Sequence, residues 1–243
     1  MNGIILHKKL THPSLRRKVN LSNFNKILPY LPKEEDLIAL DAGCGDGDFA
    51  ELLANKLRLK EIYGVDINSS ALLEAKRRGL TVKMANLEEE IPFVPRKFDL
   101  IISRQVIEHL VNPDVFLKEC NRVLKDSGML IITTPNLACW FNRLIFLFGA
   151  QPFFLEASTV DKTIGLKFTR RLTKTKEPLG HIRVFTLNAL KELLQLHGFR
   201  VAKSVGSEVE YLPIFMRPFD KLFSAFPSLS TDLIVIAYKH SNE

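Results

Sequence analysis

Residues 38–53 constrain the fold of this chain more than any other stretch. Leu37 to Leu40 form a short apolar run, Gly43, Gly45 and Gly47 follow at alternate positions, and Phe49, Leu52 and Leu53 then recur at helical spacing. An apolar run of that length reads as a buried strand, and three glycines make a turn free of side-chain bulk. Strand, glycine turn and helix together bring backbone N–H groups to a ligand at the carboxyl end of a strand in an open α/β sheet.

The residues between the glycines narrow the ligand. A dinucleotide turn spaces its glycines G-x-G-x-x-G and rests a pyrophosphate on the helix N-terminus. Here the third glycine would fall where Asp48 stands, and Asp41, Asp46 and Asp48 crowd the turn with negative charge. Such a turn repels a pyrophosphate and suits a ligand carrying cations. Asp46 and Asp48 also read as helix caps, which leaves Asp41 and the glycine spacing unexplained. The stretch closely resembles the nucleotide-binding loop of class I S-adenosylmethionine (SAM)-dependent methyltransferases. Their cofactor carries a sulfonium and an ammonium and no phosphate. The resemblance assigns Asp41, Gly43, Cys44, Gly45 and Gly47 to SAM.

Downstream, strand and helix signals alternate. Strands are predicted at 61–66, 81–84, 98–103 and 129–133. Asn68 caps a helix that Gly79 ends, and Pro113 opens another that runs to about Leu124. Alternation of this kind implies right-handed crossovers and a parallel sheet. After Pro135 the rhythm stops for about fifty residues, far beyond an ordinary connection. It resumes with Thr186 capping a helix over 187–196, a strand over 199–205, and a last strand over 233–238 after a Phe- and Pro-rich stretch. One α/β domain fills the 243 residues, with a basic arm at 1–20, an inserted lid or substrate segment at 136–180 and a second irregular segment at 207–230. The resemblance implies a Rossmann-like seven-stranded sheet in the order 3-2-1-4-5-7-6, strand seven antiparallel, with helices on both faces.

Asp66 ends the second strand about twenty residues beyond the glycine turn, where an acid accepts hydrogen bonds from both ribose hydroxyls. Ile67 would then pack on the adenine. At the end of strand three, methyltransferases usually place an acid for the adenine amino group. This chain has Asn86 and Leu87 there, and the Asn86 amide oxygen can accept the same bond. Ser103-Arg104-Gln105-Val106-Ile107-Glu108-His109-Leu110 leaves strand four beside the methyl group. It is similar to the Glu-His-Leu segment of the quinone-biosynthesis-like small-molecule methyltransferases, and so adds Ser103 and Gln105 to the cofactor set. The Pro-Pro-aromatic signature of nucleobase and amide N-methyltransferases is absent. His109, with an intrinsic pKa near neutrality, is the candidate base, and the alternative is a structural helix histidine.

Charge is unevenly placed. Of the net +7, residues 1–33 carry +7 and residues 160–183 carry +5, which leaves −5 on the rest. The basic stretches read as facing an anionic partner or as solvated surface. The insertion begins with an apolar run from Leu137 to Phe148, too short to span a bilayer, so it faces a core, a lid, a partner or a membrane surface. With Phe215, Phe219, Phe223 and Phe226 it could wall an apolar acceptor pocket, and His181, Arg170, Arg171 and Arg183 could meet an anionic head. The three cysteines have neither metal spacing nor an even disulfide framework, which implies a reducing cytoplasm, and no signal peptide or metal is read.

The reading is a SAM-dependent methyltransferase with a small or lipid-like acceptor, methylated on O or C rather than nucleobase N. An RNA or protein methyltransferase and a non-catalytic SAM-binding regulatory protein are the alternatives. Nucleic acid is the less favoured partner, peripheral membrane contact remains open, and oligomeric state is not legible.

Overall fold

The apolar runs lie side by side as strands. In the computed structural model, which describes residues 24–166, 176–209 and 212–240, the strands are β1 (Leu37–Ala42), β2 (Leu59–Asp66), β3 (Thr81–Met84), β4 (Phe98–Arg104), β5 (Leu124–Pro135), β6 (Phe199–Ser207) and β7 (Asp232–Lys239). They form one sheet in the order β3-β2-β1-β4-β5-β7-β6. The pairs among β1 to β5 are parallel, and β7 runs antiparallel to both β5 and β6.

Side chains alternate across the sheet, and both faces are covered. Leu40, Ile101, Leu130, Ile132 and Val235 point to one side, against Phe116, Leu117 and Cys120 of α3 (Pro113–Val123) and Leu190 and Leu194 of α5 (Leu187–Leu196). Ala39, Leu100, Ile102, Ile131 and Ile236 point to the other, against Phe24 and Ile27 and against Phe49 and Leu53 of α1 (Asp48–Ala54). A strand buried on both faces has no polar side, which is why these strands are continuous apolar runs. Between α1 and α2 (Ser69–Arg77), Ala50, Leu72 and Ala75 close a small cluster around Cys44.

The caps lie where the sequence places them. Asn68 Oδ1 accepts from the N–H of Ser70 and Ala71, and Thr186 Oγ1 accepts from that of Ala189. Strand five differs from the expectation. It leaves α3 directly at Leu124, loops out a few residues, and resumes pairing at Met129 opposite Leu100. Gly128 sits in that loop, where a Cβ would lie 2.8 Å from Leu124 Cδ2.

The long interval after β5 is more ordered than its sequence suggests. It holds α4 (Trp140–Leu147), whose Phe141 packs with Cys139, Phe154, Val209 and Leu212. The second irregular segment holds a short turn of helix at Ile214–Met216 and α6 (Arg217–Phe223). Asp220 of α6 is fully buried and joins the two segments. Its carboxylate accepts from Trp140 Nε1 at 3.1 Å, from the Val209 N–H at 2.9 Å and from the Thr231 hydroxyl. Phe141 and Phe154 of the apolar half are thus packed into the fold, whereas Leu144, Phe146, Leu147 and Phe148 stay exposed. The 1–20 arm and residues 167–175 lie outside the described residues. Among the described residues, no helix is long and apolar enough to cross a membrane.

Candidate active site

The glycine turn sits at the carboxyl end of β1, in the middle of the sheet. Gly43, Gly45 and Gly47 all have positive φ, at 84°, 53° and 78°. Two of them also answer to packing. A Cβ on Gly43 would lie 2.3 Å from Val106 Cγ2, and one on Gly47 would lie 2.9 Å from Ala75 Cα. At Gly45 nothing among the described residues lies within 4 Å of the added Cβ, so this glycine faces space they leave open at the strand end.

Asp66 fastens the turn. One carboxylate oxygen accepts from the Gly45 N–H at 2.8 Å, and the other accepts from the Asn68 N–H at 2.8 Å. Each oxygen keeps a second lone pair for a ligand hydroxyl. The Gly43 and Cys44 N–H groups donate to the Val65 carbonyl at 2.7 and 3.0 Å, which locks the turn to β2. The Cys44 thiol is buried among apolar side chains and near Asp41 and Asp66, and burial holds it well above its ordinary pKa. It fills space and is no nucleophile.

Asp41 is buried beneath the turn. Burial raises its pKa from 3.8 to about 7, against the pull of Arg104 and with help from Asp48, Asp66 and Asp46. Arg104 lies flat on Phe49, its guanidinium carbon 3.8 Å from the ring centre. Ile67 is more than half exposed at the end of β2, a large apolar side chain left beside the open turn.

Two predicted cofactor residues, Leu87 and Gln105, are placed otherwise than a direct side-chain role requires. Leu87 is packed in the core, so only its backbone can face a ligand. Asn86 Oδ1 accepts from the Glu88 N–H at 3.1 Å and, like the Asp66 oxygens, keeps a second lone pair, while its amide nitrogen donates to Glu89. Gln105, at a φ of 53°, turns its side-chain amide away toward β7, where it donates to both Asp232 oxygens at 3.1 and 3.2 Å. A left-handed residue straight after a strand reverses the side-chain direction that strand alternation would assign. Ser103 is buried near the end of β4, and its Oγ takes no hydrogen bond among the described residues.

On the far side of β4 the chain turns through a short helical turn, Ile107–His109. His109 and His181 meet there with ring centres 5.0 Å apart. His109 Nδ1 is 3.0 Å from the Gly180 carbonyl oxygen, and His181 Nδ1 is 3.2 Å from that of Phe154. Glu108, which sequence reasoning passed over as a site residue, lies fully buried between them and β5. Its Oε2 accepts from Thr134 Oγ1 at 2.9 Å, and burial raises its pKa to about 8. The signal was present as an acid inside the apolar run Val106-Ile107-Glu108-His109-Leu110. Arg183 is an anchor in this structure, with Nε donating to the Val111 carbonyl at 2.7 Å. Arg170 and Arg171 lie outside the described residues.

From His181 an aromatic row leads into the insertion. Phe154, Phe141, Trp140 and Phe223 follow at centre separations of 6.3, 5.9, 5.6 and 5.3 Å. Phe223 stacks on Trp140 and Phe219 lies tilted against it, with ring centres 5.3 and 6.2 Å away.

A family model described as a methyltransferase domain matches residues 14–204. The chain belongs to the methyltransferase family. A probable S-adenosylmethionine-dependent methyltransferase of Mycolicibacterium smegmatis is 34% identical over 171 residues, 69% of this chain and 53% of that protein. The ubiquinone biosynthesis O-methyltransferase of Bradyrhizobium diazoefficiens is 32% identical over 122 residues, 47% of this chain and 46% of the relative. The aligned part of the chain spans only 35% to 53% of the first curated relatives it matches. In fold, the methyltransferase is similar to a SAM-dependent methyltransferase of Thermotoga maritima described as a possible histamine N-methyltransferase. That match has a TM-score of 0.62 and 20% identity, and covers 93% of this chain and 91% of the other. SAM is the cofactor of this family, and the turn fits it. An open cradle at Gly45, an acid with lone pairs to spare at Asp66 and an exposed Ile67 beside it match a ribose, an adenine and a cationic tail.

Proposed function

We propose that this methyltransferase transfers the methyl group of SAM to an oxygen or carbon of a small or lipid-like acceptor. The observation that carries the reading is the row running from His109 and His181 through Phe154 into the insertion. It starts beside the carboxyl ends of β4 and β5 and is apolar beyond its first two members. The name of the ubiquinone biosynthesis relative supports an apolar acceptor carrying a hydroxyl.

When bound, SAM supplies an electrophilic methyl group on a sulfonium. The chain's own residues do the rest. Gly45 and Asp66 hold the ribose side, Ile67 covers the adenine, and the acidic turn around Asp41 meets the cationic tail. The aromatic row aligns the acceptor and excludes water, which is most of what an in-line displacement asks of an enzyme. A carbonyl facing Nδ1 fixes the proton there, so His109 Nε2 is the basic nitrogen and takes the proton of an acceptor hydroxyl. Arg170 and Arg171 supply positive charge for an anionic group on the acceptor.

The test is methyl transfer from labelled SAM into separate lipid, quinol, RNA and protein fractions. Label in hydroxylated aromatic or lipid species supports the reading. Label in RNA or protein alone overturns it, and SAM binding with no transfer into any fraction returns a non-catalytic role.

A further inference from the structure

Glu108 is a fully buried carboxyl group with one oxygen left over. Oε2 accepts from Thr134, whereas Oε1 takes no hydrogen bond among the described residues and has His109 Nε2 4.0 Å away. Buried carboxyl groups normally satisfy both oxygens, hold a proton or bind a cation, and an ion here would displace the proton that burial favours. The neighbours supply the remainder of a cation site.

Both imidazoles are held in one tautomer. A carbonyl oxygen can only accept, so the 3.0 Å and 3.2 Å contacts of His109 Nδ1 and His181 Nδ1 place a proton on each Nδ1 and leave Nε2 as the donor atom. Carbonyl-anchored imidazoles of this kind are how metal-ligating histidines are oriented. One ligand atom from each of Glu108, His109 and His181 lies within 4.8 Å of the others. Around a single ion at about 2.1 Å the atoms would be roughly 3.4 Å apart, so closure asks for side-chain movements of about 1 Å. The backbone is already braced for it. The Leu179 and Gly180 N–H groups donate to the Glu156 carboxylate, and the Ile182 and Arg183 N–H groups donate to the Glu108 carbonyl. His181 is thus pinned on both sides.

We propose that Glu108, His109 and His181 bind one divalent transition-metal ion of the Zn²⁺, Fe²⁺ or Mn²⁺ class, with the remaining coordination positions on the solvent-accessible side. Two imidazoles and a carboxylate suit those ions, whereas Ca²⁺ and Mg²⁺ ask for more oxygen ligands. Ion binding stands independently of the acceptor. The use of the ion rests on the proposed function: an acceptor hydroxyl ligated there loses its proton to water and is held as an oxyanion. With the ion present, His109 Nε2 is a ligand and no longer a base.

The test uses the full chain after chelator treatment, without SAM, titrated calorimetrically with Zn²⁺ and Mn²⁺ and followed by the visible d–d absorption of Co²⁺. The expected result is one equivalent bound and nitrogen–oxygen ligation in the Co²⁺ spectrum. Glu108→Gln, His109→Ala and His181→Ala should each weaken binding at least about tenfold. His197→Gln, which alters a histidine paired with Asp114, should leave it unchanged. SAM affinity of each variant, measured in the same instrument, separates loss of the ion from loss of the fold. No saturable binding, or binding indifferent to all three ligand variants, overturns the site. Methyl transfer to a hydroxylated acceptor by a chain that binds no ion would sink this inference alone and leave the proposed function standing.

Discussion

The Gly45 N–H donates to Asp66 Oδ2 at 2.8 Å, across the gap between the glycine turn and the end of β2. The carboxylate proposed to meet the ribose therefore also shapes the turn. Asp66→Ala should weaken SAM binding by about 1–3 kcal/mol, with part of the loss coming from the loosened turn. Asp66→Asn keeps one acceptor oxygen and should fall between. Calorimetric titration with SAM and S-adenosylhomocysteine reads both. An Asp66→Ala variant that binds SAM like the parent removes Asp66 from the site.

The three glycines should separate by readout. Gly43→Ala drives a Cβ into Val106, and its φ is left-handed, so it should lower the melting temperature, by about 2–4 kcal/mol in stability. Gly45→Ala adds a methyl to open space and carries only the left-handed strain, about 1–2 kcal/mol. It should instead lose SAM affinity out of proportion, and Gly45→Val more so. Equal affinity losses in Gly43→Ala and Gly45→Ala, once corrected for stability, would contradict this division.

Asp41 makes cofactor binding depend on pH. Its folded pKa is raised from 3.8 to about 7 by burial, so the folded state holds a proton that the unfolded chain has released. Stability from this group is therefore full below the unfolded value, falls as pH rises toward 7, and is level above it. A cationic ligand favours the ionised form, so SAM binding should release a proton and tighten as pH rises to about 7. Asp41→Asn should flatten that slope. Proton release measured in buffers of different ionisation enthalpy checks the sign, and SAM binding that weakens toward pH 7 refutes it.

Trp140 is the single tryptophan of the chain and donates to the buried Asp220 at 3.1 Å. Asp220→Ala leaves the Trp140, Val209 and Thr231 donors without a partner and should cost about 3–5 kcal/mol. Trp140 fluorescence should then shift to the red as water reaches the indole. Unchanged emission and melting temperature would mean the two segments are held by apolar packing alone.

Trypsin tests how far a cover extends. Arg143 is tied to the Ala138 and Ser228 carbonyls and should resist cleavage with or without ligand. Arg170, Arg171 and Lys174 should be cut first in the free protein and protected when SAM and acceptor are both bound. Early cleavage at Arg143, or sites at 170–174 indifferent to ligand, would end the lid reading.

The parts of this protein that are local in sequence were legible in sequence. Glycines at 43, 45 and 47 mark a turn at positive φ, two of them for packing and one facing the strand end. An acid ending the next strand falls beside it because parallel strands end at one edge, and Asn68 and Thr186 cap the helices that follow them. The side chains that depend on distant partners were not. Gln105 belongs by position to the cofactor edge, yet a left-handed backbone turns it to Asp232 on a strand far along the chain. His109 and His181 carry no shared pattern, and only the return of the insertion over β4 brings them together. Periodicity records which face of its own element a residue occupies. Which remote segment closes over that face is set by packing, and for Glu108 that packing buried a carboxyl group and left one oxygen without a hydrogen bond among the described residues.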